Sequence, residues 1–145
     1  MVSDVAPGHE SNLSWLLRGL VEQVPHTRSA VLLSADGLAI AAHGLGPDPA
    51  DQLSAIASGL FSLARTAAVR FGGSDGVRQV VAELDDTLLF VSSAGYGSVL
   101  TVLADRETDA GVLGYEMSQL VKSVRPFLAT PARQPGSAQR MGQVT

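Results

Sequence analysis

The longest helical pattern of the chain decides the fold and spans residues 48–73, which read DPADQLSAIASGLFSLARTAAVRFGG. Asp48 is a good N-cap and Pro49 suits a first helical position, whereas Gly72 and Gly73 are typical of a helix end. The pattern therefore predicts a helix over residues 48–71. Its predicted core stripe, at spacings of three and four, consists of Leu53, Ala57, Leu60, Ala64, Ala67, Ala68 and Phe71.

The opposite side of this predicted helix carries a second stripe with small residues and almost no charge. Small side chains let two helix backbones approach closely, and a solvent-facing Gly inside a helix costs about 0.5 to 1 kcal/mol relative to Ala. We therefore predict that this stripe is the interface of a symmetric dimer. The alternative is that these residues simply face water in a chain rich in Ala and poor in Lys. The stripe consists of Ala55, Ser58, Gly59, Ser62, Thr66 and Val69.

A shorter helix and a hairpin are predicted before residue 48. Ser11 or Asn12 is the expected N-cap, leucines follow at spacings of three and four, and Pro25 ends the pattern. Residues 28–34 and 38–43 are apolar runs on either side of an Asp-Gly turn, Asp36-Gly37, and are expected to pair as antiparallel strands.

Three further strands and a last helix are predicted after residue 73. The strands span residues 77–84, 87–92 and 98–104, and their short connections require an antiparallel meander. The helix starts at Asp109 and ends near Pro126. The order is therefore αββαβββα. Because several strands are almost continuously apolar, both faces of the sheet should be covered, which predicts a three-layer α/β sandwich with one helix on one face and two on the other.

The composition limits the classes of function. The chain has 145 residues, a formal net charge of −4, no Cys and a single lysine, Lys122. No basic stripe is present to neutralise phosphates, so nucleic acid and anionic lipid are not expected as direct partners. No apolar stretch approaches the roughly 20 residues that span a bilayer, and residues 1–10 lack an export signal, so we expect a cytoplasmic protein. Residues 11–129 are expected to form one domain between two disordered tails, residues 1–10 and 130–145.

No constellation in the sequence points to catalysis. Lys122 lacks the glycine frame of a phosphate-binding loop, and Ser92 lacks the surroundings of a serine nucleophile. The three His residues have no ligand at helical spacing. Gly95-Tyr96-Gly97 and Asp85-Asp86 are interpreted as turns. We therefore predict no catalytic residue, no cofactor and no metal.

Three exposed side chains are candidates for contact with another protein. Trp15 is placed on the polar side of the first helix, where it either anchors a partner or packs against a neighbouring helix or tail. Arg65 and Arg70 are placed on the flanks of the predicted dimer stripe, where they either touch a partner or act as ordinary solubilising residues.

The chain resembles a known family along most of its length. The resemblance is carried by residues 13–24 with Pro25, by residues 30–34 with the Asp36-Gly37 turn, and by ADQLSAIASGL at residues 50–60. The run SLAR at residues 62–65 and residues 91–104 extend it. These segments are similar to the roadblock family, the dynein light chain type domain, and most of all to its bacterial branch found beside small Ras-like GTPases in actinobacterial gene clusters.

The resemblance implies a specific topology and a mode of action. The expected sheet has five antiparallel strands in the order 2-1-5-4-3, and the expected dimer pairs through the middle helix and the third strand, here residues 48–71 and 77–84. Bacterial members regulate Ras-like GTPases without an arginine finger of their own, and no family catalytic residue exists to carry over. We expect a non-catalytic homodimeric regulator or adaptor of a small Ras-like GTPase, reaching membranes only through partners. The alternative is a small-molecule sensor domain of a signalling complex.

Overall fold

Five antiparallel strands form a single sheet in the order 2-1-5-4-3 of their sequence, which confirms the predicted topology. The computed structural model describes residues 9–129. The predicted tails lie outside these residues, except that His9 and Glu10 are the first two residues of the first helix. The helices are α1 (His9–Gln23), α2 (Pro47–Phe71) and α3 (Ala110–Ala129), and the strands are β1 (Thr27–Ser34), β2 (Ala39–His43), β3 (Gln79–Glu83), β4 (Thr87–Gly95) and β5 (Ser98–Asp105).

The sheet is covered on both faces, as the continuously apolar strands predict. Along β1, Ala30 and Leu32 pack in a cluster with α1 and α3, whereas Val31 and Leu33 pack in a second cluster with α2. Successive side chains of a strand point to opposite faces, so both sets are buried only if each face has its own layer. Two helices therefore lie on one face and α2 alone lies on the other.

The predicted turns are present and are held by their backbones. In the β1–β2 turn, Gly37 has φ +90° and its N–H donates to the carbonyl of Ser34 at 2.9 Å. The Asp85-Asp86 pair joins β3 to β4. Gly95, Tyr96 and Gly97 join β4 to β5 with φ values of +83°, +55° and +73°. Positive φ is costly for any residue with a Cβ, which explains why glycine occupies the positions on both sides of Tyr96 in this tight turn.

Three helix ends differ from the predictions. The helix α2 begins at Pro47 with Gly46 as N-cap, so Asp48 lies in the first turn instead of capping it. The first-turn N–H groups have no partner inside a helix, so two prolines are tolerated there. The helix α1 begins at His9, because a capping preference of about 1 kcal/mol does not oblige a helix to start at that residue. In α3, Pro126 lies inside the helix instead of ending it.

The C-terminal turns of α2 are less covered than predicted. Leu53 and Ala57 are buried, but Ala67 is exposed and Phe71 is 87% exposed, so the predicted core stripe is wrong at these two positions. A helix of 25 residues is about 37 Å long, whereas five strands span only about 20 Å between the axes of the two outer strands. The C-terminal end of α2 consequently extends beyond the sheet, which covers the first half of the helix.

Candidate protein interaction surface

One side of α2 faces away from the sheet and has no covering element among the described residues. Ala55, Gly59, Ser62, Thr66 and Val69, all predicted for the dimer stripe, are exposed there. Sequence reasoning missed the large apolar side chains beside this stripe, Ile56 and Leu63, which are 54% and 70% exposed. We call these seven residues the α2 outer face. Aliphatic side chains around a smooth centre of small residues are typical of a helix that packs against another helix.

Gly59 has no packing reason within its own chain. A Cβ built at this position meets no atom within 4 Å, so a larger residue would fit without rearrangement. The backbone of Gly59 lies inside the helix and needs no positive φ. The helix therefore loses stability at Gly59 with no compensating contact inside the protomer.

Two of the three hydroxyl groups of the predicted stripe, those of Ser58 and Thr66, are satisfied locally. Ser58 is half-buried, and its Oγ donates to the carbonyl of Ala35 at 2.8 Å, which ties α2 to the β1–β2 turn. Thr66 Oγ1 donates to the carbonyl of Ser62 one helical turn earlier, at 3.2 Å. A hydroxyl that is bonded to its own helix loses little when it is removed from water. Ser58 thus has an intrachain role that the helical spacing alone does not reveal.

The outer edge of β3 is unpaired in the described chain. This strand pairs only with β4, and its Val80 and Ala82 pack into the same apolar cluster as α2. Its edge carries backbone N–H and C=O groups that can pair with a strand of another chain. Because α2 packs against β3, the free edge of this strand lies close to the helix.

Arg65 and Arg70 lie beside the α2 outer face. Arg65 Nη2 is 3.7 Å from Asp75 Oδ2, and both side chains are more than half exposed. With Arg70, Thr66 and Val69 they line a shallow depression of about 310 Å³. The structure brings both arginines next to the C-terminal half of the predicted dimer stripe.

Trp15 lies on the other side of the sheet, away from the two arginines. Its side chain is 68% exposed and borders a groove of about 270 Å³ between α1 and α3, opposite Glu116 and Gln119. The three predicted partner contacts thus do not form one site.

A group of three potential metal ligands was missed by the sequence analysis. His26, Asp105 and Glu107 place one ligand atom each within 4.8 Å of one another. His26 is far in the chain from Asp105 and Glu107, and the antiparallel pairing of β1 with β5 brings it beside them. Arg28 Nε lies 3.1 Å from Asp105 Oδ1 and already supplies positive charge to this carboxylate. His26 and Glu107 are exposed, Asp105 is partly buried, and the arginine competes with a cation for its carboxylate. The absence of a metal therefore stays a prediction.

Within residues 9–129, every helix is too short or too polar to cross a lipid bilayer.

Comparison with known proteins gives the relatives of the chain. The model of the Roadblock/LC7 domain matches residues 13–104. A Roadblock/LC7 domain from Streptomyces avermitilis is 66% identical, with a TM-score of 0.78 over 81% of this chain and 98% of that one. No curated protein sequence matches significantly.

Two more distant structures share the fold. The gliding protein MglB from Thermus thermophilus is 16% identical, with a TM-score of 0.75 over 86% of this chain and 93% of that one. A structure of MglB with a tetrameric arrangement is also 16% identical, with a TM-score of 0.77 and the same coverage. At this identity the likeness concerns the fold alone. The match over residues 13–104, the sheet order and the Streptomyces relative together show that the chain belongs to the Roadblock/LC7 family.

Proposed function

We propose that the protein is a non-catalytic homodimeric regulator or adaptor that binds a small Ras-like GTPase. The observation that carries the dimer is the α2 outer face, where exposed Ile56 and Leu63 flank Gly59, a glycine with no role in its own protomer. A second copy is the occupant that fits, because a smooth self-complementary patch pairs with itself across a two-fold axis. Pairing through α2 and β3 is also what the family resemblance implies.

The α2 helices and the β3 edges would contribute to the proposed interface in different ways. Contact between α2 helices would bury Ile56, Leu63 and Val69, which supplies the apolar area that association needs. Pairing of the two β3 edges would join the sheets of two protomers and satisfy the free backbone groups. The two contacts together would fix one relative position of the protomers, whereas a contact between helices alone would allow several.

The GTPase partner is supported by the family and by the position of the arginines. Bacterial roadblock domains resembling this chain regulate Ras-like GTPases, and an MglB relative in this fold is described as a gliding protein. Arg65 and Arg70 flank the α2 outer face, so a partner that lies across the proposed two-fold axis would meet both protomers. The proposal includes a cytoplasmic location, membrane association only through partners, and neither nucleic acid nor a cofactor as ligand.

The variant Gly59→Arg tests the dimer. It would place an unpaired charge and excess volume in a close helix contact and cost several kcal/mol of association, roughly 3 to 5 for a buried unpaired charge. The protomer itself should stay folded, because a Cβ at Gly59 meets nothing within 4 Å. We expect the wild-type protein to sediment as a dimer at low micromolar concentration and the variant as a folded monomer.

Gly19→Arg is the matched control, because Gly19 also lies in a helix, on the other face of the sheet, with open space around its Cβ. It should remain dimeric. A dimeric Gly59→Arg protein at the same concentration would show that this face is not the interface.

A further inference from the structure

A cleft between α3 and the β3–β4 edge of the sheet gathers positive charge. Its volume is about 460 Å³, within the range of small-molecule sites. Arg78, Lys122 and Arg125 border it, and the buried side chains of Met117 and Val121 lie at its base. We call these five residues together with Ser92 the cationic cleft.

The charge of the cleft is not neutralised by the described chain. No Asp or Glu lines it, although the whole chain has a net charge of −4. Elsewhere in residues 9–129, Arg18, Arg28, Arg65 and Arg106 each form a salt bridge with a carboxylate, whereas the three cations of the cleft form none. Uncompensated cations with a low-dielectric wall attract anions.

Ser92 supplies a second, independent observation. This residue of β4 is only 7% exposed, and its Oγ has no hydrogen-bond partner. Ser92 is one of the residues that line the cleft, and its Oγ is covered from solvent in the ligand-free chain. Buried hydroxyl groups in native proteins are almost always bonded. Among the described residues, Ser29 Oγ, Ser92 Oγ and Thr108 Oγ1 are buried without a partner, and only Ser92 lies at the wall of this cleft, where a ligand could supply one.

The fold keeps the cleft open through two small features. The face of the sheet that α1 and α3 cover has five strands but only two helices, which leaves the β3 edge beside α3 uncovered. Gly114 of α3 borders the same space, and a Cβ there would meet only the Gln79 amide, at 3.8 Å. A side chain larger than Gly at position 114 would therefore grow into the cleft without striking the backbone.

We propose that the cationic cleft binds a small organic phosphate monoester, which is a function beyond the dimer and GTPase contacts proposed above. A phosphate monoester carries about two negative charges at neutral pH and three strong acceptor oxygens. Arg78, Lys122 and Arg125 supply more than enough positive charge for this anion. Ser92 Oγ donates to one phosphate oxygen after rotation about χ1 turns the hydroxyl toward the cleft, and the organic part lies against Met117 and Val121. A single carboxylate offers half the charge and leaves most of these donors unused.

The test is a calorimetric titration of the full-length protein with phenyl phosphate, alongside benzoate, phenol and inorganic phosphate. We expect phenyl phosphate to bind at least tenfold more tightly than benzoate, phenol to show no binding, and affinity to fall as sodium chloride is raised. Inorganic phosphate should bind more weakly than phenyl phosphate, because it lacks the apolar part. Equal affinity for benzoate and phenyl phosphate, or no binding of either, would overturn the proposal.

Variants localise the binding. Lys122→Gln and Arg78→Gln should each weaken phenyl phosphate at least fivefold, and Gly114→Leu should weaken it by a similar factor with all charges kept. Arg70→Gln, which removes another cation without a described carboxylate partner, is the control and should bind as wild type. If Arg70→Gln weakened binding as much as Lys122→Gln, the anion would be attracted by net charge alone.

Ser92→Ala separates a ligand role from a structural one. Removing a buried unpartnered hydroxyl should raise the melting temperature of the ligand-free protein while it lowers the affinity for phenyl phosphate. A merely structural serine would change the melting temperature and leave the affinity unchanged, which would remove Ser92 from the site and with it the second support of the proposal.

Discussion

Arg65 is the single side chain that best separates partner binding from stability. Its ion pair with Asp75 is long and more than half exposed on both sides, so its loss should change folding stability by less than about 1 kcal/mol. We predict that Arg65→Ala weakens binding to a GTP-loaded small Ras-like GTPase by about 1 to 2 kcal/mol, measured by calorimetry, without changing the dimer mass.

The control at this scale is Arg18→Ala. Arg18 also forms an exposed salt bridge, to Glu22 at 3.0 Å, but it lies in α1 on the other face of the sheet. Its loss should leave the titration curve unchanged. Identical curves for Arg65→Ala and wild type would remove Arg65 from the contact surface.

Single residues also show where sequence reasoning reaches its limit. The helical period places Gly59 on the outward side of α2, because periodicity fixes the direction of a side chain. It does not reveal that Ser58 bonds to Ala35, 23 residues earlier, since that contact depends on how the hairpin meets the helix. The cationic cleft has the same origin: Arg78 lies just before β3, Ser92 in β4 and Lys122 in α3, and only the fold brings them together.

Among the elements, α3 allows the clearest prediction about where the folded domain ends. It continues through Pro126, and Phe127 and Leu128 pack against the cluster between α1, α3 and the sheet. Removing residues 134–145 should change the melting temperature little, because Met141 and Val144 are the only large apolar residues of that segment. Removing residues 127–145 also removes the partly buried side chains of Phe127 and Leu128. The free energy of unfolding should then fall by up to about 1.5 to 3 kcal/mol for each of these two side chains.

Thermal unfolding of both truncated proteins checks this prediction. Equal melting temperatures would show that the last turn of α3 contributes nothing, and a large loss on removing residues 134–145 alone would show that the tail docks on the domain.

The elements themselves could be predicted from periodicity and turn chemistry, while their ends often could not. Glycine and Asp-Gly turns mark positions where the backbone has few alternatives, so the β1–β2 and β4–β5 connections were predicted correctly. Proline is a weaker signal inside α3, since the packing of Phe127 and Leu128 offsets the hydrogen bond that Pro126 cannot make. The exposure of Phe71 depends on helix length relative to sheet width, which no local pattern contains.

At the scale of the whole molecule, the three layers separate surfaces with different chemistry. The α2 side carries the α2 outer face and the two arginines, whereas the side of α1 and α3 carries Trp15 and the cationic cleft. Self-association on one side thus leaves the other side open to a ligand. The β3 edge lies between these two sides. A second copy that pairs with this edge would therefore lie close to the cationic cleft.

Oxidative cross-linking tests the dimer most directly, because the chain has no Cys and any introduced thiol is unique. A disulfide needs Cα atoms within about 7 Å, so Gly59→Cys or Ser62→Cys should give a covalent dimer only if two α2 helices cross at this face. We predict a disulfide-linked dimer on a non-reducing gel for at least one of the two variants, and a monomer for Gly19→Cys in α1. Failure of both variants to cross-link more than Gly19→Cys would contradict the account.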